Sequence, residues 1–121
     1  WGDGTPIRDF IHSQDVARGM MLALDKGITE PVNLGSGAGY SIKEVVEIII
    51  KNLENKPEVI WDTSKPMGDK KRILDIERAK SIGFQLEMPL EEGIKKTMEW
   101  YKNNKDIANK RFNVFYEKNL V

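Results

Sequence analysis

Trp1-Gly-Asp-Gly-Thr-Pro-Ile-Arg8-Asp-Phe-Ile-His12-Ser-Gln-Asp15 is the stretch that decides the reading of this chain. Gly2 and Gly4 allow tight backbone conformations that side chains forbid, and Pro6 fixes the turn that follows. Arg8 then projects a planar, permanently charged fork suited to a phosphate or a carboxylate. A short apolar run, Phe10-Ile11, leads into polar residues able to start a helix. Residue type alone leaves two readings open. Trp1 and Arg8 belong either to a loop that presents a cation to an anionic ligand, or to a surface loop whose arginine pairs with a neighbouring carboxylate.

Working outward, the spacing predicts a helix over 13–26, with Ser13 as N-cap, Val16, Ala17, Met20, Met21 and Leu24 along one face, and Gly27 at the C-terminal cap. Pro31-Val-Asn-Leu34 reads as a short buried strand ended by the Gly35–Gly39 turn. That turn fails the dinucleotide fingerprint, because the third glycine is due at position 40 and the residue there is Tyr40. A structural turn is the better reading. Ser41-Ile-Lys-Glu44 is a capping box opening a helix with Ile42, Val45, Val46, Ile49, Ile50 and Leu53 at three- and four-residue spacing. Glu58–Asp62 is strand-like. Asp75 suits the cap of a short helix through Ile82, stopped by Gly83. Pro89 suits the first turn of a last helix carrying Leu90, Ile94, Met98 and Tyr101. From Asn103 onward the pattern fades, and Phe112, Val114, Phe115 and Tyr116 fit no single element.

The loop Asp62-Thr-Ser-Lys-Pro-Met-Gly-Asp-Lys-Lys-Arg72 is the second informative segment. Lys65, Lys70, Lys71 and Arg72 surround a Pro-x-Gly turn, so several cations can meet one anion; a solvated basic loop is the plain alternative. His12, the only histidine, is a candidate acid or base. Asp15 is read as a helix-start residue. Trp61, Trp100 and Tyr101 suit packing better than base stacking.

Composition sets the outer limits. The chain has 121 residues, enough for one modest core. Its 19 basic and 19 acidic residues leave no net charge to draw it to nucleic acid or an anionic membrane. No apolar run approaches membrane-spanning length. The absence of cysteine excludes disulfides, a thiol nucleophile and a cysteine zinc site. One histidine excludes a His-x-x-x-His metal pair. No signal peptide is visible, and a tryptophan start fits a cytoplasmic protein that has been cut.

The Gly-Asp-Gly loop, Arg8, the Asp-Phe-Ile-His-x-x-Asp run, Asn33-Leu-Gly-Ser-Gly37 and the segment from Asp62 to Asp75 resemble the nucleotide-sugar branch of the extended short-chain dehydrogenases. This is the NAD-dependent epimerase/dehydratase family, and the likeness is strongest to its GDP-L-fucose synthase group, where tryptophan opens the same run. The resemblance covers residues 1–102 and leaves 103–121 unassigned. It implies an α/β fold, the C-terminal portion of a Rossmann-type enzyme including its small substrate-binding lobe.

By that likeness Trp1 packs near the nucleotide and Arg8 contacts the pyrophosphate of a nucleoside-diphosphate sugar. Lys65 and Asp69 are implied phosphate and ribose contacts. His12 is implied to bond backbone at a strand-to-helix connection. Ser64, Lys65, Pro66 and Gly68 match the group's pattern, whereas Met67 stands where it has a substrate-binding aspartate. Gly68-Asp69 resembles the Arg-x-Gly-Asp run of family epimerases, with Pro66 at the arginine position. The catalytic Tyr-x-x-x-Lys pair and the cofactor fingerprint are implied upstream of Trp1, and Tyr101-Lys105 lies far from the family position. The resemblance therefore implies no catalytic, cofactor-binding or metal-binding residue here, NADP or NAD in the parent enzyme but not on this part alone, and a homodimeric parent. The alternatives are a non-catalytic sugar-nucleotide-binding or regulatory module, and a structural α/β domain without a ligand.

Overall fold

Three two-residue strands at the front of the molecule hold its loops in place. A computed structural model describes residues 1–109. Its elements run β1 (Ile7–Arg8), α1 (Ser13–Asp25), β2 (Tyr40–Ser41), α2 (Ile42–Lys51), β3 (Lys71–Arg72), α3 (Glu77–Ser81), α4 (Leu90–Asn103) and α5 (Lys105–Asn109). The sheet order is β2-β1-β3. β1 meets β2 antiparallel, with Ile7 opposite Ser41 and Arg8 opposite Tyr40. It meets β3 in parallel, with Ile7 beside Lys71 and Arg8 beside Arg72. Arg8 thus sits on the central strand, and the end of the basic loop, expected to be irregular, is a strand.

Helix boundaries follow local hydrogen bonding. The N-cap of α1 is His12, not Ser13: its extended backbone turns into the helix and its Nδ1 accepts the Gln14 N–H at 3.2 Å. The serine hydroxyl falls one position too late for that role. At the other end Gly27, with φ +62°, lets its own N–H reach the Leu24 carbonyl and that of Ile28 reach Ala23, each at 2.9 Å. The capping box of α2 forms as expected. Ser41 Oγ accepts the Glu44 N–H at 3.1 Å, and Glu44 Oε2 accepts the Ser41 N–H at 2.7 Å. α3 starts later than expected, at Glu77 with Ile76 as N-cap, although Asp75 still accepts the Glu77 N–H at 2.9 Å. Pro89 is the N-cap of α4 and lies just outside its first turn.

Among the described residues Ile76, Ala79 and Phe84 form a buried apolar cluster, with Ile11, Leu22, Val32 and Leu34 packed against it. α1 approaches this cluster through Gly19, where a Cβ would stand 2.5 Å from Leu34 Cδ2. Beside it Asp15 is 1% exposed. Its carboxylate accepts the Met88 N–H at 2.9 Å and the Glu87 N–H at 3.2 Å, and pairs with Arg18. This charge tethers α1 to the segment entering α4, and hydrogen bonds compensate its burial.

The stripe Ala17, Met20, Met21 and Leu24 lies on the opposite side of α1 and faces outward, with Leu24 72% exposed. Val32–Leu34 is not a strand, although Val32 and Leu34 are half-buried. Apolar pattern reports burial, but a strand also needs a neighbour to bond, and among the described residues this segment has no ladder partner. Residues 58–62 likewise form no strand, and Ile60 is 86% exposed. Trp61 packs as expected, whereas Trp100 and Tyr101 on α4 are roughly half exposed. Part of the tail that the pattern leaves unassigned is ordered as α5; Phe112, Val114, Phe115 and Tyr116 lie outside the described residues.

Candidate anion-binding face

Two segments far apart in sequence meet here, residues 1–8 and 61–72. The Gly2 N–H donates to the Asp62 carbonyl at 2.8 Å, and the Ile7 N–H to the Lys70 carbonyl at 2.9 Å. The contact is close enough to demand glycine. At Gly4, φ +79°, a Cβ would lie 2.6 Å from the Trp61 ring, and at Gly2, φ +76°, one would lie 2.6 Å from Met67 Cγ. Between them Asp3 closes the turn, accepting the Thr5 hydroxyl at 2.6 Å and the Thr5 N–H at 2.9 Å. Those bonds, the hydroxyl's first, hold the Asp3 carboxyl below its ordinary value of 3.8.

All four sequence-singled residues lie along this junction. Arg8 Nη1 donates to the Asp69 carbonyl and to that of Ile7, each at 2.8 Å. Lys65 Nζ stands over the Trp1 ring, 6.0 Å from its centroid. Trp1 is 81% exposed, an unusual position for so large an apolar surface. No carboxylate pairs with Arg8 or Lys65 among the described residues. Among the described residues Arg8 thus forms no salt bridge. Asp69 instead gives its carboxylate to Arg72 at 2.7 Å. Gly68, φ +72°, keeps the turn open above Arg8, where an added Cβ would touch Nη2 at 3.7 Å.

Asp9 is the residue whose role sequence reading missed. Its Oδ1 accepts the Ser36 N–H at 2.7 Å and the Ser36 hydroxyl at 2.6 Å. Its Oδ2 accepts the Gly37 N–H at 3.2 Å and the Leu74 N–H at 3.3 Å. The amides at the start of the Gly35–Gly39 turn are thus turned to an internal carboxylate, which is why this glycine-rich loop is structural. Gly35 is required there, since its Cβ would stand 2.7 Å from Asp9 Oδ2. The signal in the sequence is a carboxylate set between Arg8 and an apolar pair.

His12 is used as a cap, as expected of a backbone-bonding imidazole. Its ring also borders an apolar cavity of 250 Å³ between α2 and α4, lined by Phe10, Ile49, Met88 and Ile94 among others. None of the four candidate residues lines it. Tyr101 and Lys105 lie on separate helices, with the break at Asn104 between them, and form no pair on one helix face. Among the described residues no cluster of three His, Cys, Asp or Glu side chains is placed to hold a metal, and no helix is long and apolar enough to cross a membrane.

The solved structures that this small α/β unit resembles are Rossmann-type epimerases and dehydratases, of which it covers a part. The chain matches the family described as GDP-mannose 4,6 dehydratase over residues 1–97, and it belongs to that family. It is 35% identical over 112 residues to a probable GDP-L-fucose synthase of Oryza sativa, covering 91% of this chain and 34% of that protein. Among solved structures it resembles the UDP-glucose 4-epimerase of Thermotoga maritima with UDP-glucose, at 32% identity and a TM-score of 0.78, covering 87% of this chain and 34% of that one. The dTDP-glucose 4,6-dehydratase of Bacillus anthracis in complex with NAD matches at 27% identity and a TM-score of 0.70, over 87% and 34% of the two chains. The chain spans about a third of the length of the relatives it matches.

Proposed function

We propose that this chain is the C-terminal, substrate-binding third of an NAD(P)-dependent enzyme that acts on a nucleoside-diphosphate sugar. Residues 1–102 form that binding portion and 103–121 an extension. The parent is a cytoplasmic homodimer that oxidises, reduces or epimerises the sugar. One observation carries the reading: Arg8 and Lys65 meet at one junction without a carboxylate partner among the described residues, beside a solvent-exposed Trp1. Two cations and an aromatic platform along one junction suit a diphosphate joined to a flat base. The relatives support the class, since the Thermotoga epimerase was solved with UDP-glucose and the Bacillus dehydratase with NAD.

In this reading Arg8 grips the diphosphate, while the carbonyls of Ile7 and Asp69 hold its guanidinium in place. Lys65 adds a second positive charge over Trp1, and Asp69 accepts a ribose hydroxyl. A bound nicotinamide supplies hydride chemistry from the other part of the enzyme. A charge-assisted hydrogen bond contributes about 1.5–3 kcal/mol. Arg8→Ala in the parent enzyme should therefore weaken nucleotide-sugar binding by about ten- to a hundredfold and leave NADP binding unchanged. Arg8→Lys should recover part of the loss, because a point charge does not reproduce the fork. Calorimetry with a nucleoside diphosphate and, separately, NADP reads both. Unchanged diphosphate affinity in Arg8→Ala would refute the assignment.

A further inference from the structure

Lys65 and Trp1 are both exposed, yet the Lys65 ammonium stands over the indole without a carboxylate to hold it there among the described residues. A long flexible side chain in water has much freedom to lose in such a pose. The backbone beneath the pair supplies the order, and from both sides it converges on Asp62. The Asp62 carbonyl accepts the N–H of Gly2, next to Trp1, at 2.8 Å, and the Lys65 N–H at 3.4 Å. Its Oδ1 accepts the Ser64 N–H at 3.1 Å and the Ser64 hydroxyl at 2.5 Å. An aspartate oxygen bonded to the amide two residues on closes a turn from within. Gly2, Ser64 and Lys65 thus all hang from one half-buried residue. Its neighbour Trp61 lies against Gly4, so this anchor is itself seated on the other segment. The Asp62 carboxylate serves the turn and pairs with no lysine or arginine among the described residues.

We infer that Asp62 is the positioning residue of the Lys65–Trp1 pair: it holds the two chain segments at the spacing that sets the ammonium over the indole. This rests on the reading of Lys65 as a phosphate contact and names what keeps that contact in place. Asp62 acts through Lys65 and not on the ligand. The turn needs its oxygen as an acceptor and not its charge, because both donors on Ser64 are neutral. Without that oxygen the 3.4 Å bond from the Lys65 N–H is left to close the turn, and a bond of that length is weak. Lys65 must then be ordered at the moment of binding, which lowers affinity.

A double-mutant cycle in the parent enzyme, read by calorimetry with GDP and UDP, separates this inference from its foundation. Lys65→Ala should weaken binding about tenfold and Asp62→Ala about fivefold. The double variant should be no more than about twofold weaker than Lys65→Ala alone, since Asp62 acts through that lysine. Arg8→Ala should cost the same with and without Asp62, a result that general loosening of the loops would not give. Asp62→Asn keeps the oxygen for Ser64 and should bind within about twofold of wild type. Ser64→Ala leaves Asp62 in place and should cost about threefold, again only while Lys65 is present. If Asp62→Ala, or Ser64→Ala where the former does not fold, binds as wild type while Lys65→Ala does not, the inference fails and the Lys65 reading stands. If Asp62→Asn is as weak as Asp62→Ala, the charge and not the turn is at issue, and the inference fails. If the Asp62 and Lys65 losses simply add, Asp62 acts elsewhere and it fails again. If Lys65→Ala binds as wild type, the reading of Lys65 falls and the inference with it.

Discussion

Replacing Asp9 tests whether one carboxylate holds the two ends of the site-bearing sheet together. It gathers four donors from two distant segments: the Ser36 N–H and hydroxyl at 2.7 and 2.6 Å, and the Gly37 and Leu74 N–H groups at 3.2 and 3.3 Å. The four losses in Asp9→Ala do not count equally. Gly37 and Leu74 are exposed and water replaces their long bonds, and the Ser36 hydroxyl keeps its contact with the Ala38 carbonyl at 3.1 Å. The half-buried Ser36 N–H bears most of the cost, that of a lost charged hydrogen bond and a stranded donor. We expect Asp9→Ala to lose about 3 kcal/mol and Asp9→Asn, which retains one oxygen for Ser36, about half as much. For a chain of 121 residues 3 kcal/mol corresponds to a fall in Tm of roughly 12 °C. Urea unfolding followed by circular dichroism, at a concentration where light scattering shows one species, measures it. A loss below about 1 kcal/mol for Asp9→Ala would show that solvent satisfies the turn and that the carboxylate does not organise it.

The isolated chain should self-associate, because the Met20–Leu24 stripe and the Val32–Leu34 backbone have no partner among the described residues; a Met20→Glu, Leu24→Lys double variant should raise the monomer fraction in light scattering, and no change would exclude the stripe. The chain alone should turn over no nucleotide sugar with NAD(P)H, and cofactor oxidation coupled to sugar conversion by pure chain would contradict this. Bonds from the Ser41 hydroxyl, then its N–H, hold the Glu44 carboxyl below the ordinary value of 4.5. Its contribution is thus complete above that value and lost as pH falls through the lower, folded value; helix content should drop on acidification, and Glu44→Gln should remove that part of the pH dependence. Met67→Asp in the parent should shift preference among nucleotide sugars towards that of the GDP-L-fucose synthase group, and an unaltered preference would remove position 67 from substrate selection.

Local rules carried the helices well. The Ser41–Glu44 box and the glycine stops at Gly27 and Gly83 are set within a few residues, so short sequence windows contain all the physics they need. The strands were another matter. Val32–Leu34 has strand composition but no ladder, while Lys71–Arg72, exposed and doubly charged, is paired because β1 lies beside it. Pairing is a property of two segments, and β1 and β3 are separated by more than sixty residues. The candidate site was half legible for the same reason. Glycines, arginine and the basic loop announce an anion-binding surface, but the meeting of Arg8 with Asp69 and the side-by-side setting of Arg8 and Arg72 arise only from that long-range register.

α1 shows how periodicity can mark the right helix and the wrong side. The predicted face is Val16, Ala17, Met20, Met21 and Leu24, and reading it as turned to the core is sound for a helix with one neighbour. Yet only Val16 of the five is half-buried and the other four are exposed. The residues that bury it are Asp15, Gly19 and Leu22, chosen for close approach and hydrogen bonding and not for bulk. Gly19 admits Leu34 because it has no side chain, and Asp15 replaces apolar contact with two backbone N–H bonds and Arg18. A helix that already has a packed face and still carries a second apolar stripe has two neighbours to satisfy. The described residues supply one of them. In relatives about three times as long there is chain enough for the other, and the stripe on α1 is where that second layer would rest in the enzyme proposed here.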